Sequence, residues 1–138
     1  MATRSRIGIQ LADDSVLSVY CHWDGYPEFN GVKLVEHFNS YVAASELIDG
    51  GDMSCLWTNA GWQNETLPTT GPLYYSSRGE DRAPEHHKDL NEYLMFADHD
   101  CCGEYAYLYQ NDQWVCYQLQ SQFPDTVKEV QIPTPVVA

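Results

Sequence analysis

The sequence predicts an α+β fold: an antiparallel sheet of hairpins with one or two helices packed on one face. Three observations predict it. Alternating apolar residues bracket a tight polar turn near the start of the chain, the same pattern recurs near its end, and between the two lies a stretch with the period of a helix.

Taken in order, Ile7, Ile9 and Leu11 alternate, Ala12-Asp13-Asp14-Ser15 supplies a turn, and Val16 to Cys21 returns, so the chain opens with a hairpin. Beyond Pro27 the period changes. Leu34, Val35, Phe38, Tyr41, Val42, Ser45 and Ile48 share one helical face, with Asn30 as a cap and Gly50-Gly51 as a stop, which predicts a helix over 31–49. Residues 52–58, with Met53, Leu56 and Trp57, fit a strand or a helical turn equally. The 59–72 stretch is rich in Gly, Thr, Asn and Pro and reads as a long loop, either lid or spacer, with Trp62 in its middle. Leu73-Tyr74-Tyr75-Ser76 reads as a short strand. Pro84 suits a first helical position, and Leu90, Tyr93, Leu94 and Ala97 recur at helical spacing, so a second helix is expected over 84–97. Tyr105, Tyr107 and Tyr109 alternate with Ala106 and Leu108 before Asn111-Asp112 turns the chain into the run from Trp114 to Leu119, a second hairpin. Residues 133–138 carry two prolines and no period, and read as a flexible tail on a single domain of residues 1–132.

Composition sets the class. With 138 residues, 43% of them hydrophobic and 13% aromatic, the chain has enough apolar surface for one core. No run approaches the roughly 20 apolar residues of a membrane helix. The start is basic, but Asp13 and Asp14 interrupt any apolar stretch, so no secretion signal is expected. The five cysteines, Cys21, Cys55, Cys101, Cys102 and Cys116, are odd in number and fit reduced thiols in a cytoplasm. The net charge of −13 is uneven: between Arg6 and Arg78 the only basic side chain is Lys33, against nine carboxylates. Such a field repels phosphate backbones, which argues against direct nucleic-acid binding, and steers the chain toward basic protein surfaces, including those that themselves hold nucleic acid.

The most distinctive segment is His22-Trp23-Asp24-Gly25-Tyr26-Pro27, a reversal in which Gly25 can take positive φ and Pro27 fixes the exit. Trp23 and Tyr26 could cover the sheet end, so an ordinary structural role accounts for every residue of it. Together with Arg4-Ser5, Ile7, Val19-Tyr20, Gly31 and the later Ser77-Arg78-Gly79-Glu80, this segment resembles a group of small bacterial and phage proteins with a Trp/Tyr-Asp-Gly-Tyr-Pro turn. The resemblance implies a shared fold, a phage origin and hence the host cytoplasm. No activity travels with it.

Other constellations point to binding before catalysis. Arg78 beside Tyr75 could grip an anion through its planar fork while the ring stacks on a base. If Arg4, Arg6 and Arg78 converge near His22, an anionic pocket for a nucleotide-like ligand would form from His22, Trp23, Asp24, Tyr26, Tyr75, Arg78 and Arg4. An ion pair from Arg78 to Asp81 or Asp24 explains the same arginine. His86-His87 and the run Asp98-His99-Asp100-Cys101-Cys102 hold metal donors at no recognisable spacing, and a metal-assisted hydrolase using His22, Asp24 and His99 stands third among the readings. Cys21 and His22 point to opposite faces of one strand and cannot pair. Tyr105, Tyr107 and Tyr109 could form a stacking platform or a covered sheet face, and surplus tyrosine suits an interface, including one between copies of the chain. No glycine-rich nucleotide loop or triad pattern occurs, and no cofactor is expected. The leading expectation is a non-catalytic, acidic interaction protein of phage type, acting on a host factor or defence protein.

Overall fold

The fold rests on β1, Ser5–Gln10, which is buried on both of its faces. A computed structural model describes residues 3–58, 71–80, 82–99, 103–119 and 128–133. Within them eight strands join one mixed sheet in the order β4-β3-β2-β1-β6-β7-β8, with β5 also paired to β2. The strands are β1, β2 (Val16–Cys21), β3 (Met53–Thr58), β4 (Gly71–Tyr74), β5 (Glu85–His87), β6 (Tyr105–Gln110), β7 (Gln113–Gln118) and β8 (Lys128–Val130). Three helices accompany them: α1 (Val32–His37), α2 (Tyr41–Asp49) and α3 (Leu90–His99). No helix among the described residues is long and apolar enough to cross a membrane.

Both predicted hairpins form. β1 pairs with β2, and β6 with β7, each antiparallel over six residues. Asn111 and Asp112 both take positive φ, 51° and 64°, as a two-residue turn matched to strand twist requires. The hairpins then join through their first strands, β1 and β6, in parallel. A parallel joint needs a long crossover, and residues 11–104 supply it. β2 and β3 also meet in parallel, at Cys21 and Met53. The α+β class is therefore observed with a mixed, mostly antiparallel sheet.

The helices depart from the expected single face. α1 and α2 lie over Ile7, Ile9, Val19 and Tyr107, whereas α3 sends Tyr93, Leu94 and Ala97 against Val16, Ala106 and Leu108 on the other side. Pattern explains this, because β6 alternates tyrosine with Ala106 and Leu108, so both of its faces are apolar and both must be covered. Gly8 admits the approach of α3: a Cβ there would lie 2.9 Å from Val16 Cγ1 and 3.1 Å from the Tyr93 ring. Tyr93 then donates a hydrogen bond of 2.6 Å to the Tyr107 carbonyl.

The helix expected over 31–49 is broken. Residues Pro27–Gly31 wind as a π-helical turn leading into α1, and the chain leaves helical geometry at Phe38 (φ −132°). Ser40, not Asn30, is the cap, accepting from the Ala43 N–H at 3.1 Å. The Trp114 indole donates to the Phe38 carbonyl at 3.0 Å and so satisfies the group that the break exposes. Residues 52–58 resolve as the strand β3, and the short strand read at 73–76 begins two residues earlier, at Gly71. The helix expected from Pro84 starts six residues later, at Leu90. Asp89 accepts from the Glu92 N–H at 2.9 Å while the Glu92 carboxylate reaches back to the Lys88 N–H at 3.2 Å, a capping pair that sets the start. Residues 85–87 are thereby free to pair with β2 as β5. β8 was not foreseen. The 59–70 part of the predicted loop, and 134–138 of the predicted tail, lie outside the described residues.

Between the sheet and α3 a polar cluster is sealed in. Arg6, 2% exposed, donates from Nε to Ser18 Oγ at 2.9 Å and from its terminal nitrogen to the Ser18 carbonyl at 3.0 Å. Its guanidinium lies over the Phe96 ring at 4.8 Å. Ser18 Oγ also meets His87 Nε2 at 2.7 Å. Burial first, and the Arg6 charge second, pull the imidazole down to about 4. His87 is thus neutral in the folded protein but takes a proton in the unfolded chain below its ordinary value of about 6.5, so this stability is complete above that value and declines as pH falls toward 4. In urea unfolding, the stability gap between the native protein and His87→Gln should narrow by roughly 2 kcal/mol from about pH 7 to about pH 4. A gap that stays constant over that range contradicts the buried neutral imidazole.

Candidate functional site

The turn after β2 is held by hydrogen bonds from four directions. The His22 and Trp23 N–H groups donate to the carbonyls of Met53 and Ser54, at 3.2 and 3.0 Å. Gly25 donates to the Thr3 carbonyl at 2.9 Å and accepts from the Tyr107 hydroxyl at 2.6 Å. A Cβ on Gly25 would fall 2.7 Å from the Thr3 oxygen and 2.8 Å from Ser5 Cβ, so only glycine fits between the turn and β1. The Asn30 N–H closes the turn onto the carbonyls of Asp24 and Tyr26, at 3.3 and 3.1 Å. Asn30, which the sequence offered as a helix cap, is instead fully buried, with its amide nitrogen near the Trp23 carbonyl at 3.4 Å and Cys21 Sγ at 3.5 Å.

Asp24 pivots this arrangement in the left-handed region, at φ 58°. Aspartate tolerates that conformation better than most residues, and it occurs at functional sites out of proportion to its frequency. The result is outward presentation. Trp23 is 44% and Tyr26 37% exposed, and the Tyr26 hydroxyl lies 3.4 Å from Asp24 Oδ1. Partial burial, then the Asp24 charge, hold the Tyr26 phenol above its usual range.

Of the other residues singled out from sequence, Arg4 is exposed near His22; burial first and that guanidinium second keep the His22 imidazole below its ordinary value. His22 Nδ1 also meets the Tyr20 hydroxyl at 2.7 Å, and its ring stands edge-on to Trp23 at 4.8 Å. Tyr75 sits in the 3₁₀ turn Tyr75–Arg78, 8% exposed, its N–H on the Asp52 carbonyl and the Arg82 guanidinium 4.5 Å over its ring. That face is taken, so Tyr75 does not offer the stacking surface expected of it. Arg78 closes the same turn, and its side chain lies outside the described residues. Arg6 does not join Arg4, because it is committed to Ser18 in the interior.

The tyrosine platform is a covered face: Tyr107 is wholly buried and Tyr109 nearly so. Burial drives the Cys21 and Cys116 thiols up to about 12, and Cys55 up to about 11, so these three behave as core residues and not as nucleophiles. Ser18 and His87 have the spacing of a nucleophile and its base, yet they are 0% and 2% exposed and substrate cannot reach them. Among the described residues no three His, Cys, Asp or Glu side chains gather as a metal site. Asp100, Cys101 and Cys102 lie outside them.

Beyond Tyr26, one set of surface residues escaped the sequence reading. Tyr26 continues into Phe29 at 6.4 Å between ring centroids, Lys33 lies 5.8 Å from Phe29 and 5.7 Å from Trp57, and His37 stacks on Trp57 at 4.0 Å with the planes 7° apart. The helical spacing of 26, 29, 33 and 37 was the available signal. Its rings run from the turn along α1.

No protein-family model matches the chain, and neither does any curated protein or solved structure.

If Asp24 supports the turn through its backbone conformation, Asp24→Gly should leave stability within about 1 kcal/mol of the native protein, while Asp24→Val should lower it by roughly 1–3 kcal/mol. Equal effects of the two changes in chemical denaturation would remove the conformational account.

Proposed function

We propose that this chain is a non-catalytic interaction protein that docks on a basic face of a protein partner through the 23–26 turn. The observation that carries the reading is the exposure of Trp23 and Tyr26 on either side of Asp24 in sequence, on a turn whose backbone is pinned from the sheet. A carboxylate flanked by aromatic residues suits a lysine or arginine side chain, which gains a charge partner and ring faces together. The chain shows the ring contact internally, where Lys33 lies over Phe29 and Trp57 and Arg82 over Tyr75. The net charge of −13 adds long-range steering toward such a partner. Fixing the turn before binding lowers the entropy lost on association. The resemblance to phage proteins is the ground for seeking the partner, a host factor or defence protein, in bacterial cytoplasm.

A small anionic ligand is the second reading, favoured by one observation, the closeness of Arg4 to His22. Its weakness is Tyr75, whose ring is covered by Arg82.

The docking reading is tested by capture from a bacterial lysate on immobilised native protein beside Trp23→Ala and Asp24→Asn. A basic partner should be retained at about 0.1 M salt and released toward about 1 M, where the screening length falls from ~10 Å to ~3 Å. Each variant should weaken its retention roughly tenfold while keeping the native unfolding midpoint. Retention indifferent to salt and to both substitutions would refute the reading, and so would the absence of any salt-sensitive partner.

A further inference from the structure

The sheet ends at an incomplete edge. β8 has three residues, and it pairs only with Cys116, Tyr117 and Gln118 of β7. Residues 113–115 of β7 are paired with β6 on one side, and among the described residues no strand lies along their other side. Beyond Val130 the chain leaves the ladder and crosses toward the helices, where Ile132 packs close to Gly31. A groove of about 510 Å³ opens between this departing segment, Val35 of α1, Asn39 just beyond that helix, and residues 113–116 of β7.

Two properties of the groove identify its occupant. A strand edge carries a row of backbone donors and acceptors that an extended chain can continue, and the apolar walls at Val35, Val130 and Ile132 can receive alternate side chains. The rim carries Asp112 and Glu129 and no lysine or arginine; Lys128 lies on β8 outside the lining. A second copy of this chain would bring the same two carboxylates, and a charge of −13, against themselves. We infer that residues 113–115 of β7 form a strand-addition site for an extended segment of a protein partner carrying lysine or arginine. This site is separate from the 23–26 turn, and it shares with the docking reading only the sign of the partner's charge.

The test is a titration of isotope-labelled protein with a short alternating Lys-Thr peptide, and with the same peptide N-methylated at every backbone nitrogen, which keeps length and charge but cannot donate to a ladder. The Lys-Thr peptide should shift the amides of 113–115 and 129–132, and should bind about tenfold more tightly than its N-methylated form. Asp112→Asn combined with Glu129→Gln, both exposed positions, should weaken the Lys-Thr peptide roughly fivefold without changing the unfolding midpoint. Equal binding of the two peptides, or no shift with either, overturns the inference. Shifts confined to the 23–26 turn overturn it too, and leave the docking reading of that turn intact. Peptide-independent shifts of the same amides that grow with protein concentration would assign the edge to a second copy and likewise overturn it.

Discussion

The joint between β1 and β6 governs both the architecture and the surface turn. β1 is covered on both faces because it lies where two hairpins meet side by side, and that position decides the fate of each residue along it. Ile7 and Ile9 enter one core, Gly8 lets α3 approach the other, and Arg6 is carried into the interior with Ser18, His87 and Phe96 around it. The same joint brings Tyr107 of β6 under the turn, where its hydroxyl holds the Gly25 carbonyl, while the Thr3 carbonyl just before β1 holds the Gly25 N–H. One residue of the turn is therefore clamped from both strands of the joint. Rigidity at the surface follows from pairing at the centre.

Local elements were legible in the sequence where a single period and a turn signal agreed, as in both hairpins. The manner of their joining was not, because alternation reports which residues share a face and says nothing of which strand lies alongside. β6 nevertheless carried an unread signal: tyrosines on one side and Ala106 with Leu108 on the other leave no polar face for solvent, which calls for helices on both. The helix over 31–49 failed where two local preferences competed with its period. Ser40 caps better than it continues a helix, and the Trp114 indole, distant in sequence, rewards the break at Phe38. Likewise Asp89 and Glu92 outweighed Pro84 in setting the start of α3.

The site divides in the same way. Gly25 and Pro27 announced the turn, but Trp23 and Tyr26 are exposed and do not cover the sheet end as their size suggested. What the sequence could not show is that Tyr75, equally aromatic and equally close to arginine, is closed by Arg82, or that Asn30 faces inward. Those outcomes depend on neighbours supplied by other strands. Arg4 and Arg6 look alike as two basic residues at the start of the chain, yet one is exposed and one is sealed, because they fall on either side of the point where β1 becomes covered.

The account as a whole depends on the 23–26 segment being a fixed platform and not a yielding loop. Backbone order parameters from ¹⁵N relaxation measure this directly. The account predicts values at residues 23 to 26 equal to those of β1 and β6, about 0.85, falling at Gly25 and Tyr26 when Tyr107→Phe removes the clamp. Values below about 0.6 across the turn of the native protein would contradict it.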